Sequence, residues 1–409
     1  MIGIGLGLTD AAANGGAGGA AAWYPTSLSG VVGIWEPFDI TSVYEAHSIS
    51  GTTAEPGVRC STTGQLAGMI LDKSNMDYSA YANAGEWVDD LLTEANADFY
   101  DVFDSATGWT FSDGTVSITG GVLQFSGSGT NVNASKAATF AANTWYMVKC
   151  TITNWTSGAV EFGVGGSNTN GVPAANGVYY ALQKTGASPA STFVIRAELA
   201  TVTLDVADVS VVALPGNHMY ARASTYRGLT EQRGTTYTIG MTAQDHYTTV
   251  NAVTIPSAFN FAIDTQPDAG SFDYRSAVMS VGNATDNPSI GHGIGSGTGT
   301  FQLAVRDDYV VEYTTGVDDT AAHHIAELTA TSTTFDFYKD GTKVADGTSW
   351  TSSPLTFTDG NEINIGTEYT QSTIYDYDGD FSCAYMYDNT SGRSTDLYSY
   401  INTNTGEDY

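Results

Sequence analysis

Catalysis in this chain would have to come from its carboxylates. The most suggestive spacing is the run Glu362-Ile363-Asn364-Ile365-Gly366-Thr367-Glu368. On a β-strand, residues two apart share a face. Glu362 and residue 364 would then stand side by side above a sheet, where paired acids can attack a glycosidic bond. Residue 364 is asparagine, so the pair is incomplete and no catalytic residue is expected. A second acidic run, Asp376-Tyr377-Asp378-Gly379-Asp380, follows Tyr369 and Tyr375. Several hard oxygen ligands suit calcium. The run lacks the full alternating aspartate loop and a distal bidentate glutamate, so a polar turn before a strand is the plainer expectation. No cofactor is assigned, with calcium the one cation the run would suit. Tyrosine faces and carboxylate acceptors together suit a sugar. Glu368, Tyr369, Tyr375, Asp376, Tyr377 and Asp378 are therefore the candidate glycan contacts, against a reading as packing tyrosines and solvated acids.

Other chemistry-bearing residues lack partners in the sequence. His323 and His324 are adjacent, so on a strand they face opposite ways and cannot chelate together; they read as the start of a strand. His218, His246 and His292 have no neighbour at ligand spacing. Gly291 to Gly299 is rich in glycine, but no Lys-Ser/Thr follows and a phosphate loop is not expected. Cys60, Cys150 and Cys383 are odd in number and far apart, which fits neither a disulfide framework nor a zinc motif. Cys150 and Cys383 fall on apolar positions of alternating strands and read as buried thiols. No metal site is expected, and no nucleophile–base set has local support.

The elements that carry these groups are strands. The 409 residues suit two or three domains, and 42% hydrophobic content is enough for several cores. Gly (46), Thr, Ser, Asn, Tyr and Val favour short strands joined by turns over long helices. Acidic side chains outnumber basic ones 44 to 14, for a net charge of -30. That field repels nucleic acid and anionic membrane surfaces, which are bound by clustered Lys and Arg. Its plain reading is solubility. No apolar run approaches the roughly 20 residues that span a bilayer. The N-terminus lacks the basic start of a signal peptide.

Periodicity divides the chain. Residues 1–22 are a Gly/Ala-rich arm without the bulk for a core, expected to be held by a neighbouring subunit. Residues 23–98 read as a small anchoring module with a short helix over 86–94, where Trp87, Val88, Leu91 and Leu92 share a face. Ile2, Ile4, Leu6 and Leu8 of the arm, with Trp23 and Trp35 of the module, are the candidate anchoring residues. Residues 99–216 alternate with period two. Val116 and Ile118, then Leu123 and Phe125 across Gly120-Gly121, signal a hairpin. Tyr146, Val148, Cys150 and Ile152 share one strand face, as do Val160, Phe162 and Val164. The pattern predicts an antiparallel sandwich or jelly roll. Residues 217–409 repeat it, with Phe259, Phe261 and Ile263 alternating and a turn at Lys339-Asp340-Gly341. Helical spacing returns at Leu397, Tyr400 and Ile401. The fold class expected is all-β, with tandem sandwiches.

Two stretches carry a resemblance. The first runs from Gly33-Ile34-Trp35-Glu36-Pro37-Phe38-Asp39 through Gly51-Thr52-Thr53 to Gly64-Gln65-Leu66-Ala67-Gly68-Met69-Ile70-Leu71-Asp72-Lys73-Ser74. The second is Pro215-Gly216-Asn217-His218, with Arg222, Arg227 and Gly234 to Tyr237. Both are similar to stretches in virion proteins of tailed bacteriophages that carry concanavalin A-like (laminin-G-like) domains. The later run of Tyr338 to Gly341, Ile363 to Gly366, Gly379, Tyr385 and Tyr400 to Gly406 fits the same pattern. Ala243-Gln244-Asp245-His246-Tyr247 departs from it. The resemblance implies a non-enzymatic virion protein, a fibre, spike or decoration on the particle surface. Its implied partners are other virion proteins, further copies of itself (a trimer is the expectation) and a cell-surface glycan. Sandwiches of this kind also house glucanases, so a carbohydrate-active enzyme acting through Glu362 is the alternative.

Overall fold

The computed structural model describes residues 24–48, 54–169, 171, 175–198, 201–221, 224–242, 245–249, 258–267, 276–282, 288–293, 300–305, 309–313, 324–349, 362–366, 379–388 and 395–405. They form an all-β protein of two antiparallel sandwiches, one hosted within the other.

The hosted sandwich spans 99–214. One sheet runs in the order Gly177–Lys184, Trp145–Ser157, Val202–Ala213, Val122–Ser128, Val116–Thr119, with Phe99–Asp101 also on Val202–Ala213. The other runs Ser167–Asn168, Val160–Val164, Thr192–Ala197, Asn133–Ala137, Trp109–Phe111. The alternation read from the sequence sets the register. Tyr146, Val148, Cys150 and Ile152 enter the core with Val160, Phe162, Val164, Phe193 and Ile195. The Val116–Thr119 hairpin closes with Val122 opposite Thr119. Gly120 and Gly121 make its two-residue turn at φ 67° and 80°, the left-handed values that such a turn requires.

The host sandwich takes strands from both ends of the chain. Its first sheet runs Thr342–Ser349, Thr334–Lys339, His324–Thr331, Ala258–Pro267, Gly379–Tyr387, Thr236–Met241, Gly228–Arg233, Leu66–Ala67, with Val31–Trp35 also paired to Gly379–Tyr387. Its second runs Val43–Tyr44, Met69–Ile70, Met219–Ala221, Tyr247–Thr249, Glu362–Ile365, Ser276–Gly282, Pro288–Gly293, Thr300–Val305, Tyr309–Tyr313. Trp35, Val43, Ile70, Met219, Tyr247, Phe259, Phe261, Ile363 and Phe381 share one core.

This weave redraws the segment 23–98. It is not a free-standing module, because Val31–Trp35, Val43–Tyr44, Leu66–Ala67 and Met69–Ile70 complete sheets whose other strands lie after residue 217. Trp35 is correspondingly no anchor for an outside partner. Its ring is fully buried in that core, and its Nε1–H donates to the Asn217 carbonyl at 2.9 Å. The arm 1–22 and Trp23 lie outside the described residues.

The two sandwiches pack through a third apolar cluster. Trp145, Met147, Tyr180, Leu182, Val212 and Leu214 meet Tyr44, Met69, Leu71 and Tyr220. Trp145–Ser157 is therefore buried on both faces at its start. The backbone at Glu45–Ala46 is gripped between two glycines. A Cβ on Gly57 would lie 2.2 Å from Ala46 N, and one on Gly68 would lie 2.3 Å from Ala46 O.

Two helices brace the ends. Ala84–Leu91 is capped by Asn83, whose side chain accepts from Glu86 N. It buries Trp87 and Val88 in the joint between the sandwiches. Thr395–Thr405 lays Leu397 and Ile401 on Cys383, Tyr385 and Tyr387, across the outer face of the first host sheet.

Candidate functional site

The stretches 33–74 and 215–218 meet in one buried knot. Asp72 is fully buried and accepts four hydrogen bonds: Ile34 N (2.9 Å), Ser74 N (2.9 Å), Ser74 Oγ (2.9 Å) and Asn217 N (2.7 Å). Its own N–H donates to His218 Nδ1 at 3.0 Å. The other ring nitrogen of His218 lies 3.2 Å from the Leu214 carbonyl, so the proton belongs on Nε2. Burial lowers the His218 pKa and keeps the imidazole neutral. Asn217 Nδ2 donates to the Val32 carbonyl at 2.6 Å. Three chain segments are thereby pinned at one point.

Beside the knot lies an ionic cluster. Lys73 Nζ stands 2.7 Å from Glu36 Oε2 and 3.0 Å from Asp39 Oδ2. Glu36 also accepts from Tyr385 OH (2.9 Å) and Tyr78 OH (3.3 Å). None of Glu36, Asp39, Lys73, Tyr78 and Tyr385 has a role among the sequence-based expectations. The signal was there: charged side chains set inside apolar stretches, as in Leu71-Asp72-Lys73.

The outer face of the second host sheet carries a polar row that is itself buried, with Thr248, Asn364 and Ser280 nearly inaccessible to solvent. Cross-strand pairing runs Tyr44, Met69, Tyr220, Thr248, Asn364, Ser280, Ser289, Ala304, Val310 from one end to the other. The first three are covered by the hosted sandwich. The middle of the row is polar. Thr248 Oγ1 donates to Asn364 Oδ1 at 2.7 Å. The Asn364 amide nitrogen is buried without a hydrogen-bond partner. A buried donor of that kind is costly, and an acceptor from water or a ligand hydroxyl would satisfy it. Next to the row, the Tyr226 ring packs tilted against His246, ring centroids 4.5 Å apart.

Glu362 and Asn364 fall on this same face, since Ile363 and Ile365 enter the core. On that face Glu362 is half-buried and Asn364 is buried. Glu368, Tyr369, Tyr375, Asp376, Tyr377 and Asp378 lie outside the described residues. They belong to the connection between Glu362–Ile365 and Gly379–Tyr387. Asp380, next in sequence, is ion-paired with Arg233.

The remaining expectations resolve into structure. His324 opens the strand His324–Thr331, with Nδ1 2.7 Å from Asp340 Oδ2. Gly291 to Gly293 belong to a strand paired with Thr300–Val305. Cys60, Cys150 and Cys383 are free and buried. Burial pushes the Cys60 thiol up to about 12. Among the described residues no group of three His, Cys, Asp or Glu side chains is placed to hold a metal, and no helix is long and apolar enough to cross a membrane.

No family model matches the chain, and no curated protein matches it. Solved structures give distant likenesses. The full extracellular region of zebrafish Gpr126/Adgrg6 aligns at TM-score 0.28 and 13% identity, over 71% of this chain and 36% of that one. Trypanosoma rangeli sialidase in complex with sialic acid aligns at TM-score 0.36 and 8% identity, over 72% and 62%. The CBM22-1-CBM22-2 tandem domain of Paenibacillus barcinonensis Xyn10C aligns at TM-score 0.26 and 11% identity, over 71% and 97%. The chain thus spans about a third of the first of these and less than two thirds of the second. At such scores the likeness carries nothing about activity.

Proposed function

We propose that this chain is a surface-exposed structural protein of a tailed-bacteriophage particle, a fibre, spike or decoration component that contacts glycan. The observation that carries the reading is the knot at Asp72, Asn217 and His218. The two stretches similar to phage virion proteins lie about 145 residues apart in sequence and are locked together in space, as parts of one built unit. The arm 1–22 is the segment left to engage other virion proteins or further copies of the chain, with a trimer as the proposed assembly. The proposed glycan contacts are Glu368, Tyr369, Tyr375, Asp376, Tyr377 and Asp378, which follow the strand Glu362–Ile365 in sequence. Weak single contacts would gain strength from repeated copies.

Removing residues 1–23 tests the anchoring half, because every strand described starts after them. The truncated chain should fold and fail to enter particles; normal incorporation would refute the assignment. A glycan array read with full-length chain and with Tyr369→Ala and Asp376→Ala tests the other half. Uniform silence would leave a purely structural role. Release of reducing sugar that vanishes in Glu362→Gln would instead favour an enzyme, the reading supported by the position of Glu362 on the outer face.

A further inference from the structure

We propose that Lys73 and Asp39 become joined by an intramolecular isopeptide bond between Lys73 Nζ and Asp39 Cγ, with Glu36 as the proton relay. The reacting groups are already in place, with Nζ 3.0 Å from Asp39 Oδ2 and 2.7 Å from Glu36 Oε2. Held amine and acid of this kind have large effective molarities, and the entropic part of the barrier is removed in advance. The site is largely shielded from water, with the Asp39 side chain 10% exposed. Lys73 and Glu36 side chains are 4% and 0% exposed. The Phe38 and Tyr78 rings lie 5.8 and 5.1 Å from Nζ.

Asp39 is set up as the electrophile. Oδ1 accepts from Thr41 Oγ1 at 2.5 Å and Thr41 N at 3.2 Å, and Oδ2 accepts from Ala84 N at 2.7 Å. Donors fixed on a carboxyl group stabilise the oxyanion that forms when its carbon is attacked. Glu36 is the relay because it touches Nζ and is itself held by Tyr385 and Tyr78.

The step balances without any co-reactant. One ammonium proton passes along the Nζ–H···Oδ2 hydrogen bond to Asp39, leaving a neutral amine and a neutral acid. The nitrogen lone pair forms the C–N bond. A second proton then travels from nitrogen through Glu36 to the departing hydroxyl, the C–O bond breaks and one water leaves. Glu36 begins and ends as a carboxylate. In the unreacted trio the mutual attraction holds Lys73 above and Asp39 below their ordinary ranges, while desolvation opposes both charges. The first proton transfer removes the Lys73 and Asp39 charges together and leaves Glu36 held by the Tyr385 and Tyr78 hydroxyls. This inference does not depend on the particle assignment.

The test is the intact mass of the purified full-length chain, unfolded in acid. The expected value is the sequence mass less one water, and a digest should yield a branched peptide joining Asp39 to Lys73. Full sequence mass with linear Asp39 and Lys73 peptides would overturn the proposal. So would a water loss that maps to a linear peptide, the mark of an aspartyl succinimide. Lys73→Arg should restore the full mass, and a Lys73→Arg chain still lacking one water would also overturn it. Glu36→Gln, once shown to keep the wild-type circular dichroism, should leave the two residues unjoined. A branched peptide in that variant would remove Glu36 from the mechanism.

Discussion

Replacing Asp72 with alanine should unfasten the knot. The substitution removes the acceptor for three backbone N–H groups, on Ile34, Ser74 and Asn217, and for the Ser74 hydroxyl. Ile34 is fully buried, whereas Ser74 and Asn217 lie nearer solvent and can recover part of the loss from water. A stranded buried donor costs about 1–3 kcal/mol, with bonds to a charged acceptor at the upper end. At about 2–3 kcal/mol each, full loss at Ile34 and half loss at the other two gives about 4–6 kcal/mol, a large share of the roughly 5–15 kcal/mol that holds a domain folded. Hydrogen exchange is the assay, because a chain of two sandwiches need not unfold in one step. Amides of the host sandwich, Ile34 among them, should exchange about a thousandfold faster, at roughly 1.4 kcal/mol per decade. Amides of Trp145–Ser157 should change far less. Asp72→Asn keeps one acceptor oxygen and should cost about half as much. An Asp72→Ala chain whose Ile34 amide exchanges within tenfold of wild type would refute the assignment of Asp72 as the fastener.

Other outcomes can be checked with simpler measurements. Gly57→Ala should lower the thermal midpoint by several degrees. Its Cβ meets backbone at Ala46, which cannot swing aside as a side chain would, and overpacking of that kind costs about 1–3 kcal/mol. Burial depresses the pKa of His218, so the stability it confers is complete above the unfolded value of about 6.5 and declines as pH falls below it. His47, lowered by burial and by Arg227, adds to the same slope. Denaturation followed from pH 7.5 to 5 should show this loss, and His218→Gln should flatten it. The three thiols should resist iodoacetamide at mildly alkaline pH in folded protein and react once it is unfolded, because burial raises all of them.

Much of the hosted sandwich was legible because its strands are long and alternate. Val116 with Ile118, Leu123 with Phe125, and Tyr146 through Ile152 announce which face is buried. The helix at Ala84–Leu91, the turn at Asp340-Gly341 and the burial of Cys150 and Cys383 were legible for similar local reasons. The host's weave was not. Alternation identifies a strand and is silent about its partner, and Val31–Trp35 pairs with Gly379–Tyr387 nearly the whole chain away. Val43–Tyr44, Leu66–Ala67 and Met69–Ile70 are two residues each, too short for any period to emerge. Trp35 looked like an anchor because a tryptophan near a glycine-rich arm has no visible core to enter; that core is built from residues after 217. Of the candidate site, spacing placed Glu362 and Asn364 on one face, but only pairing supplies Thr248 as the partner of Asn364.

Hosting one sandwich inside another also orders events during synthesis. Strands up to Met69–Ile70 leave the ribosome long before Met219–Ala221, the strand that must lie beside them. Until then they present unpaired edges, a hazard in a nascent chain. Residues 99–214 can close on themselves in the interval, since the strands of both their sheets fall within that span. Once closed, they bring Asp72 and Asn217 together and spare the chain most of the entropy of a 145-residue loop. The guest would thus act as a folding splint for its host, and a lesion in the guest's core would surface as misassembly of the domain around it.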